Sequence, residues 1–107
     1  MKIFKCEPNK KGYVKEIKGD LESLHTEIGG YIQLCYLPDD IVAICDEEGR
    51  IKNLEPNIYL PNYGVICGNI IFAKNIITNK GPDLGSLSNE EIERLESYYN
   101  NGGSENE

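Results

Sequence analysis

Residues 29–54 read GGYIQLCYLPDDIVAICDEEGRIKNL, and the alternation within them decides the fold. Three apolar runs, YIQLCYL, IVAICD and RIKNL, are separated by two turn signals. Leu37-Pro38-Asp39-Asp40 puts proline at the second turn position, where its fixed φ suits a type I turn. Asp46-Glu47-Glu48-Gly49-Arg50 reads as a three-residue hairpin loop with its glycine left-handed. The Ile, Val and Tyr between the turns suit a pleated, half-buried surface. The stretch predicts a three-strand antiparallel meander in which Leu37 faces Asp40 and Cys35 faces Val42. That register holds Cys45 far from Cys35.

Upstream, MKIFKCEP alternates apolar residues until Pro8, Asn9 to Gly12 turn the chain, and Tyr13 to Ile17 return as a second strand. The lysines of this hairpin suit a sheet edge, where charge discourages unwanted pairing. Asp20 caps a short helix with Leu21, Leu24 and Ile28 on one face, and Gly29-Gly30 ends it. His25 flanks that apolar stripe without a neighbouring acid to orient it, so a packing role is expected rather than catalysis.

Downstream, residues 55–64 carry two prolines, two asparagines and two tyrosines. This segment is too proline-broken for a regular element, and it predicts a loop laid over the sheet. Such loops carry binding residues, and Asn and Tyr suit recognition through amide groups and flat faces. The candidate ligand- or partner-binding residues are Asn53, Asn57, Tyr59, Tyr63 and Asn69. The asparagines could equally satisfy their own turns. Val65 to Ala73 is the most apolar run and predicts a central strand, with Gly68 marking a bulge or a close backbone approach. Asn69 is then a buried polar group that faces a cavity or makes a structural bond. Residues 79–83 read as a loop. Ser88-Asn89-Glu90-Glu91 is a capping box, stapled by Leu87 and Ile92. Its helix turns Ile92, Leu95 and Tyr99 to the core and Glu90, Glu93, Arg94 and Glu96 to water.

At 107 residues the chain suits one domain, given a usual size of roughly 100–150 residues. The expected organisation is a single domain over 1–99 and a flexible acidic tail over 100–107. The fold class is α+β: a mostly antiparallel sheet of about five to six strands, with the C-terminal helix packed on it. Its parts are a hairpin, a short helix, a three-strand meander and a central strand. No run approaches the about 18 apolar residues of a membrane span, and the N-terminal apolar run is too short for a secretory signal. A cytoplasmic location and no membrane partner are therefore expected.

The net charge of −7 is unevenly placed. Residues 1–18 hold six lysines against two glutamates, whereas residues 19–48 hold eight acids and no Lys or Arg. An acidic surface repels phosphate, which disfavours direct nucleic-acid binding. A partner with a basic face, imitation of nucleic-acid charge, and plain solubility all fit. Cys6, Cys35, Cys45 and Cys67 are widely and irregularly spaced, without a C-x-x-C pair, which predicts reduced core thiols over a metal or redox site. No phosphate loop, nucleophile elbow or metalloprotease motif is present. The acids of the two turns sit at opposite ends of one strand, poorly placed to share a substrate. Neither an enzyme nor a cofactor is expected.

The order of several short motifs adds a resemblance. It runs from Glu7-Pro8 through Tyr13-Val14-Lys15-Glu16-Ile17 to Leu21-x-x-Leu24, which leads into Gly29-Gly30-Tyr31-Ile32. Asp46 to Arg50, Leu54-x-Pro56-Asn57, the strand with internal Gly68, and Ser86-Leu87-Ser88-x-Glu90 follow. Together, over residues 3–99, they resemble the domain of unknown function 3846 family, small proteins of phages, prophages and conjugative elements. The family's basic residue after Pro-Asn is Ile58 here, so no anion site is implied at that step. The resemblance implies a mobile-element setting. In that setting the expected function is non-enzymatic binding of a host or element protein, with antagonism of host defence as one use. The alternative is a pocket for a nucleotide-like small molecule under residues 53–64, formed by a homo-oligomer.

Overall fold

The computed structural model describes residues 1–100. β1 (Lys2–Cys6) and β2 (Tyr13–Glu16) form the first hairpin, α1 (Leu21–Ile28) follows, and β3 (Ile32–Leu37) and β4 (Ile41–Asp46) form the second. β5 (Pro56–Leu60) and β6 (Gly64–Cys67) make a separate two-stranded sheet. β7 (Ile70–Thr78), β8 (Gly81–Gly85) and α2 (Asn89–Asn100) complete the described chain. The main sheet has six strands in the order β2-β1-β7-β4-β3, with β8 also on β7, and each pairing is antiparallel. The class is α+β, as expected. Asn100 is the last residue of α2, and residues 101–107 of the expected tail lie outside the described residues.

The sheet is covered on both faces because its strands alternate. On one face Phe4, Cys35, Ala43, Cys45, Ile70 and Phe72 pack with Leu60 and Ile66 of the small sheet, with Leu87 just before α2 and with Ile92 of α2. On the other, Ile3, Val42, Ile44, Ile71 and Ala73 lie beneath Leu24 and Ile28 of α1. Each large side chain fully buried there contributes roughly 1.5–3 kcal/mol.

Local capping works as the sequence indicates. Asp20 accepts from the Ser23 amide at 2.9 Å, and Gly29 ends α1 at φ +90°. Ser88 Oγ accepts from the Glu91 amide at 3.1 Å while Glu91 Oε1 accepts from the Ser88 amide at 2.9 Å. Leu21 departs from its expected core position. It stands exposed at the start of α1, and Leu24 and Ile28 alone bury the helix.

The meander has two strands, not three. β4 already has β7 on its other side, from Ile41↔Lys74 to Ile44↔Ile71, which leaves no ladder for Arg50 to Leu54. Those residues coil instead, with the Lys52 amide donating to Glu48 and the Leu54 amide to Gly49. Gly49 is not left-handed, and a different constraint selects it. A Cβ there would lie 2.6 Å from the Cys67 carbonyl oxygen. The β3–β4 register is one residue off the expected one, with Leu37↔Ile41 and Cys35↔Ala43. Asp39 and Asp40 adopt φ of 65° and 60°, so the Pro38–Asp40 loop carries two left-handed residues after its proline and is not a type I turn. With Gln33 opposite Cys45, Cys35 and Cys45 become diagonal neighbours that share a hydrogen bond. All four cysteines are free.

The expected central strand over Val65 to Ala73 splits at Gly68, whose φ is +94° and whose missing Cβ leaves room for Leu54. Its first half joins β5, so the expected loop over 55–64 is a hairpin with Pro56 opening its first strand. Its second half is β7, the centre of the main sheet. The expected loop over 79–83 is the tip of another hairpin. Thr78 faces Gly81 across Asn79-Lys80, and Pro82 is tolerated because β8 pairs on one side alone.

Candidate functional site

The five candidate residues divide by role. The Asn57 side-chain amide donates to the carbonyls of Cys6 at 3.0 Å and Gly68 at 2.8 Å, clamping the small sheet to β1. Asn69 donates to the Glu27 carbonyl at 3.3 Å and so holds the end of α1, the structural-bond alternative. Asn53 sits in the exposed coil after β4 at φ 58°. Tyr59 is 56% exposed opposite Val65, and the half-buried Tyr63 reaches the outer edge of β3, where its hydroxyl accepts from the Tyr36 amide at 3.1 Å. The structure thus leaves Tyr59 exposed, packs Tyr63 between the core and the edge of β3, and gives Asn57 and Asn69 to the scaffold.

Tyr63 leads to a cavity of about 320 Å³ between the small sheet and the β3–β4 hairpin. Gln33, Cys45, Arg50, Ile51, Tyr63 and Cys67 are among its lining. The Arg50 guanidinium donates to the Val65 carbonyl at 3.3 Å. Asp46, also in the lining, is held by Lys52 at 2.6 Å and by the Glu48 amide. Burial opposes its charge, yet Lys52 and that amide keep its carboxyl below the usual range. Cys45 in the cavity wall and Cys6 in the core are not poised nucleophiles. Donation to the Cys35 sulfur, with burial, pushes the Cys45 thiol up while the same pairing lowers the fully buried Cys35, and burial raises Cys6 to about 12. Among the described residues no group of three or more His, Cys, Asp or Glu is placed to hold a metal ion.

The sequence reading passes over several exposed apolar residues. Tyr31 is 68% exposed, Tyr36 51% and Ile51 82%, with Val65 also exposed. Ile51 and Val65 line the cavity with Tyr63, and Tyr59 pairs with Val65 on the small sheet. Tyr36 instead projects from β3 on the α1 face, and Tyr31, just before β3, stacks edge-on against His25 of α1. Four of the seven tyrosines thus stand on or beside β3 and the small sheet. One signal was available: residues 29–38 carry no charge in a chain that is 27% charged. The other acids are less available. Glu91 is buried against Lys74 and Ser88, and Glu27 bridges Lys5 and Lys15. At the two ends of β4, Asp39, Asp40, Glu47 and Glu48 are exposed. Among the described residues one ion pair engages them, a 3.8 Å contact from Asp39 to Arg94.

A second cavity, about 340 Å³ and largely apolar, lies between the Pro38–Asp40 loop and α2, beside Leu95, Tyr98 and Tyr99. No described helix is long and apolar enough to cross a membrane. Neither the curated proteins nor the solved structures compared with the chain gave a match. Residues 1–100 match the model of one family, described as a domain of unknown function (DUF3846), and the chain belongs to that family.

Proposed function

We propose that the chain is a non-enzymatic accessory protein of a phage or other mobile element that docks, in the host cytosol, on a host or element-encoded protein. The observation that carries this reading is the set of exposed tyrosines along the edge strand and the neighbouring small sheet: Tyr31 just before β3, Tyr36 on it, and Tyr59 beside Val65 on the small sheet. Tyrosine brings a large, stiff contact area and a hydroxyl for the wet rim, and it is enriched in protein interfaces. The acids at both ends of β4 favour a partner with a basic face and speed the encounter with it. Antagonism of a host defence protein is the use that fits the mobile-element setting.

The cavity beneath β5–β6 supports the second reading, a nucleotide-like ligand, because its volume of about 320 Å³ can hold one. Its charge argues the other way: Asp46 and Glu47 line it against Arg50 alone, which disfavours a phosphate. Docking is therefore the stronger reading.

The test isolates the protein with its partner from the host, then measures binding of the purified pair. Replacing Tyr31, Tyr36 and Tyr59 by serine should weaken binding at least about 30-fold, as loss of roughly 2 kcal/mol at interface anchors does. The melting temperature should stay fixed across a nucleotide panel, since a native-state ligand would raise it. Undiminished affinity of the triple variant, or a nucleotide-dependent rise in melting temperature, refutes the docking reading.

A further inference from the structure

Three strands of the main sheet, β2, β3 and β8, have a side unpaired along their whole length, and two of them are protected. β2 is four residues long and carries Lys15 and Glu16, and β8 carries Pro82 and Asp83. Charge, proline and shortness are the devices by which sheet edges avoid further pairing. β3 has none of them. Its six residues, Ile-Gln-Leu-Cys-Tyr-Leu, are uncharged and free of proline, and they end the strand order.

Two hydrogen bonds fix which backbone groups face outward. The Tyr31 carbonyl accepts from Glu47 on the β4 side, at 2.9 Å. The Tyr36 amide points the opposite way, to the Tyr63 hydroxyl. Because peptide groups alternate along a strand, Ile32 and Leu34 share the outward direction of Tyr36. Among the described residues no acceptor meets the Ile32 and Leu34 amides on that side. The Tyr63 hydroxyl stands where a neighbouring strand's carbonyl would lie.

Resting on the docking reading above, we propose that β3 receives an extended segment of the partner as an added strand. We further propose that this segment is uncharged in its middle and basic near both ends. Charge complementarity selects that occupant. The six residues of β3 span about 20 Å. Asp39 and Asp40 lie just past one end, and Glu47 and Glu48 beside the other, where Glu47 bonds Tyr31. A segment of about eight residues with Lys or Arg near each end meets both acid pairs. Its alternate side chains fall beside Leu34 and Tyr36 on one face and beside Gln33 and Tyr63 on the other. A second copy of the chain fits worse. Antiparallel pairing of two β3 strands would set Asp39 and Asp40 of one against Glu47 and Glu48 of the other.

The experiment selects binders from a displayed library of random decapeptides against the whole chain, then reads amide hydrogen exchange on the chain with the best peptide bound. The expected winners have an uncharged β-branched or aromatic centre and a basic residue near each end. Replacing those ends with glutamate should weaken binding at least tenfold, and the peptide should slow exchange at Ile32 and Leu34. Leu34→Pro, which removes one outward donor, should abolish binding. Because that variant can also perturb packing, exchange in the unaltered chain is the deciding measurement. Failure to enrich any peptide, winners without basic ends, or bound peptides that leave Leu34 unprotected would overturn the proposal. So would a concentration-dependent dimer that protects Leu34 in the absence of peptide. The docking reading fails separately: a partner that ignores the three tyrosine substitutions defeats it whatever the peptides do.

Discussion

Replacing Asn57 with alanine should destabilise the fold by about 2 kcal/mol, because one amide supplies two hydrogen bonds that join the two sheets. Nδ2 lies 3.0 Å from the Cys6 carbonyl oxygen and 2.8 Å from that of Gly68. At a net value of about 0.5–1.5 kcal/mol each, the two bonds contribute roughly 1–3 kcal/mol. Gly68 is buried, so its carbonyl has little water to turn to. For a domain of this size the loss lowers the melting temperature by roughly 8–16 °C. Asn57→Asp should be worse, since a carboxylate offers no donor to two carbonyls. Urea denaturation of the two variants beside Tyr59→Ala is the assay. Tyr59 is largely exposed, and its change should stay within about 0.5 kcal/mol. Wild-type stability for Asn57→Ala would refute the clamp and return Asn57 to the recognition surface.

Gly49→Ala should cost about 1–3 kcal/mol, because its Cβ would meet the Cys67 carbonyl oxygen at 2.6 Å and backbone must shift. Gly49→Asn should be no better, and rescue by asparagine in denaturation would show that a left-handed conformation is what the site needs. Stability should also fall in acid. Burial opposes the charges of Glu27, Asp46 and Glu91, but their lysine and amide partners leave all three carboxyls below their ordinary values. A carboxyl depressed in the folded state stabilises it above the unfolded value, which is 4.5 for Glu and 3.8 for Asp, and loses that contribution as pH drops further. Melting temperature should therefore hold from pH 7 to about 5 and drop below about 4.5, with Glu91→Gln flattening the acid limb. A flat profile down to pH 3 would refute the assignment.

What the sequence made legible is what short-range chemistry decides. Asp20 and the Ser88–Glu91 box bond within one helical turn, so both helix starts could be read from neighbouring letters. The hairpin of Lys2–Cys6 with Tyr13–Glu16 needed only one turn. Arg50 to Leu54 failed for a distant reason: its alternation was adequate, but β7 had already claimed the free side of β4. The apolar run from Val65 to Ala73 concealed its break because Gly68 reads as a bulge until Leu54 is placed against it. Tyr63 was legible as a surface residue. Tyr31 and Tyr36 were not, since strand periodicity assigned them to a sheet without saying which strand ends it. Asn57 and Asn69 were chosen for their chemistry, and that same chemistry ties the scaffold together.

β7 pairs with β1, β4 and β8, so the six-stranded sheet has no continuous ladder without it. A ribosome must deliver Ile70 to Thr78 before the two N-terminal hairpins have anything to zip against. Until then they are isolated ribbons, each marginal in water. Synthesis of most of the chain thus precedes its cooperative collapse. Exchange protection of the β1, β4 and β7 amides should accordingly disappear as one unit rather than strand by strand.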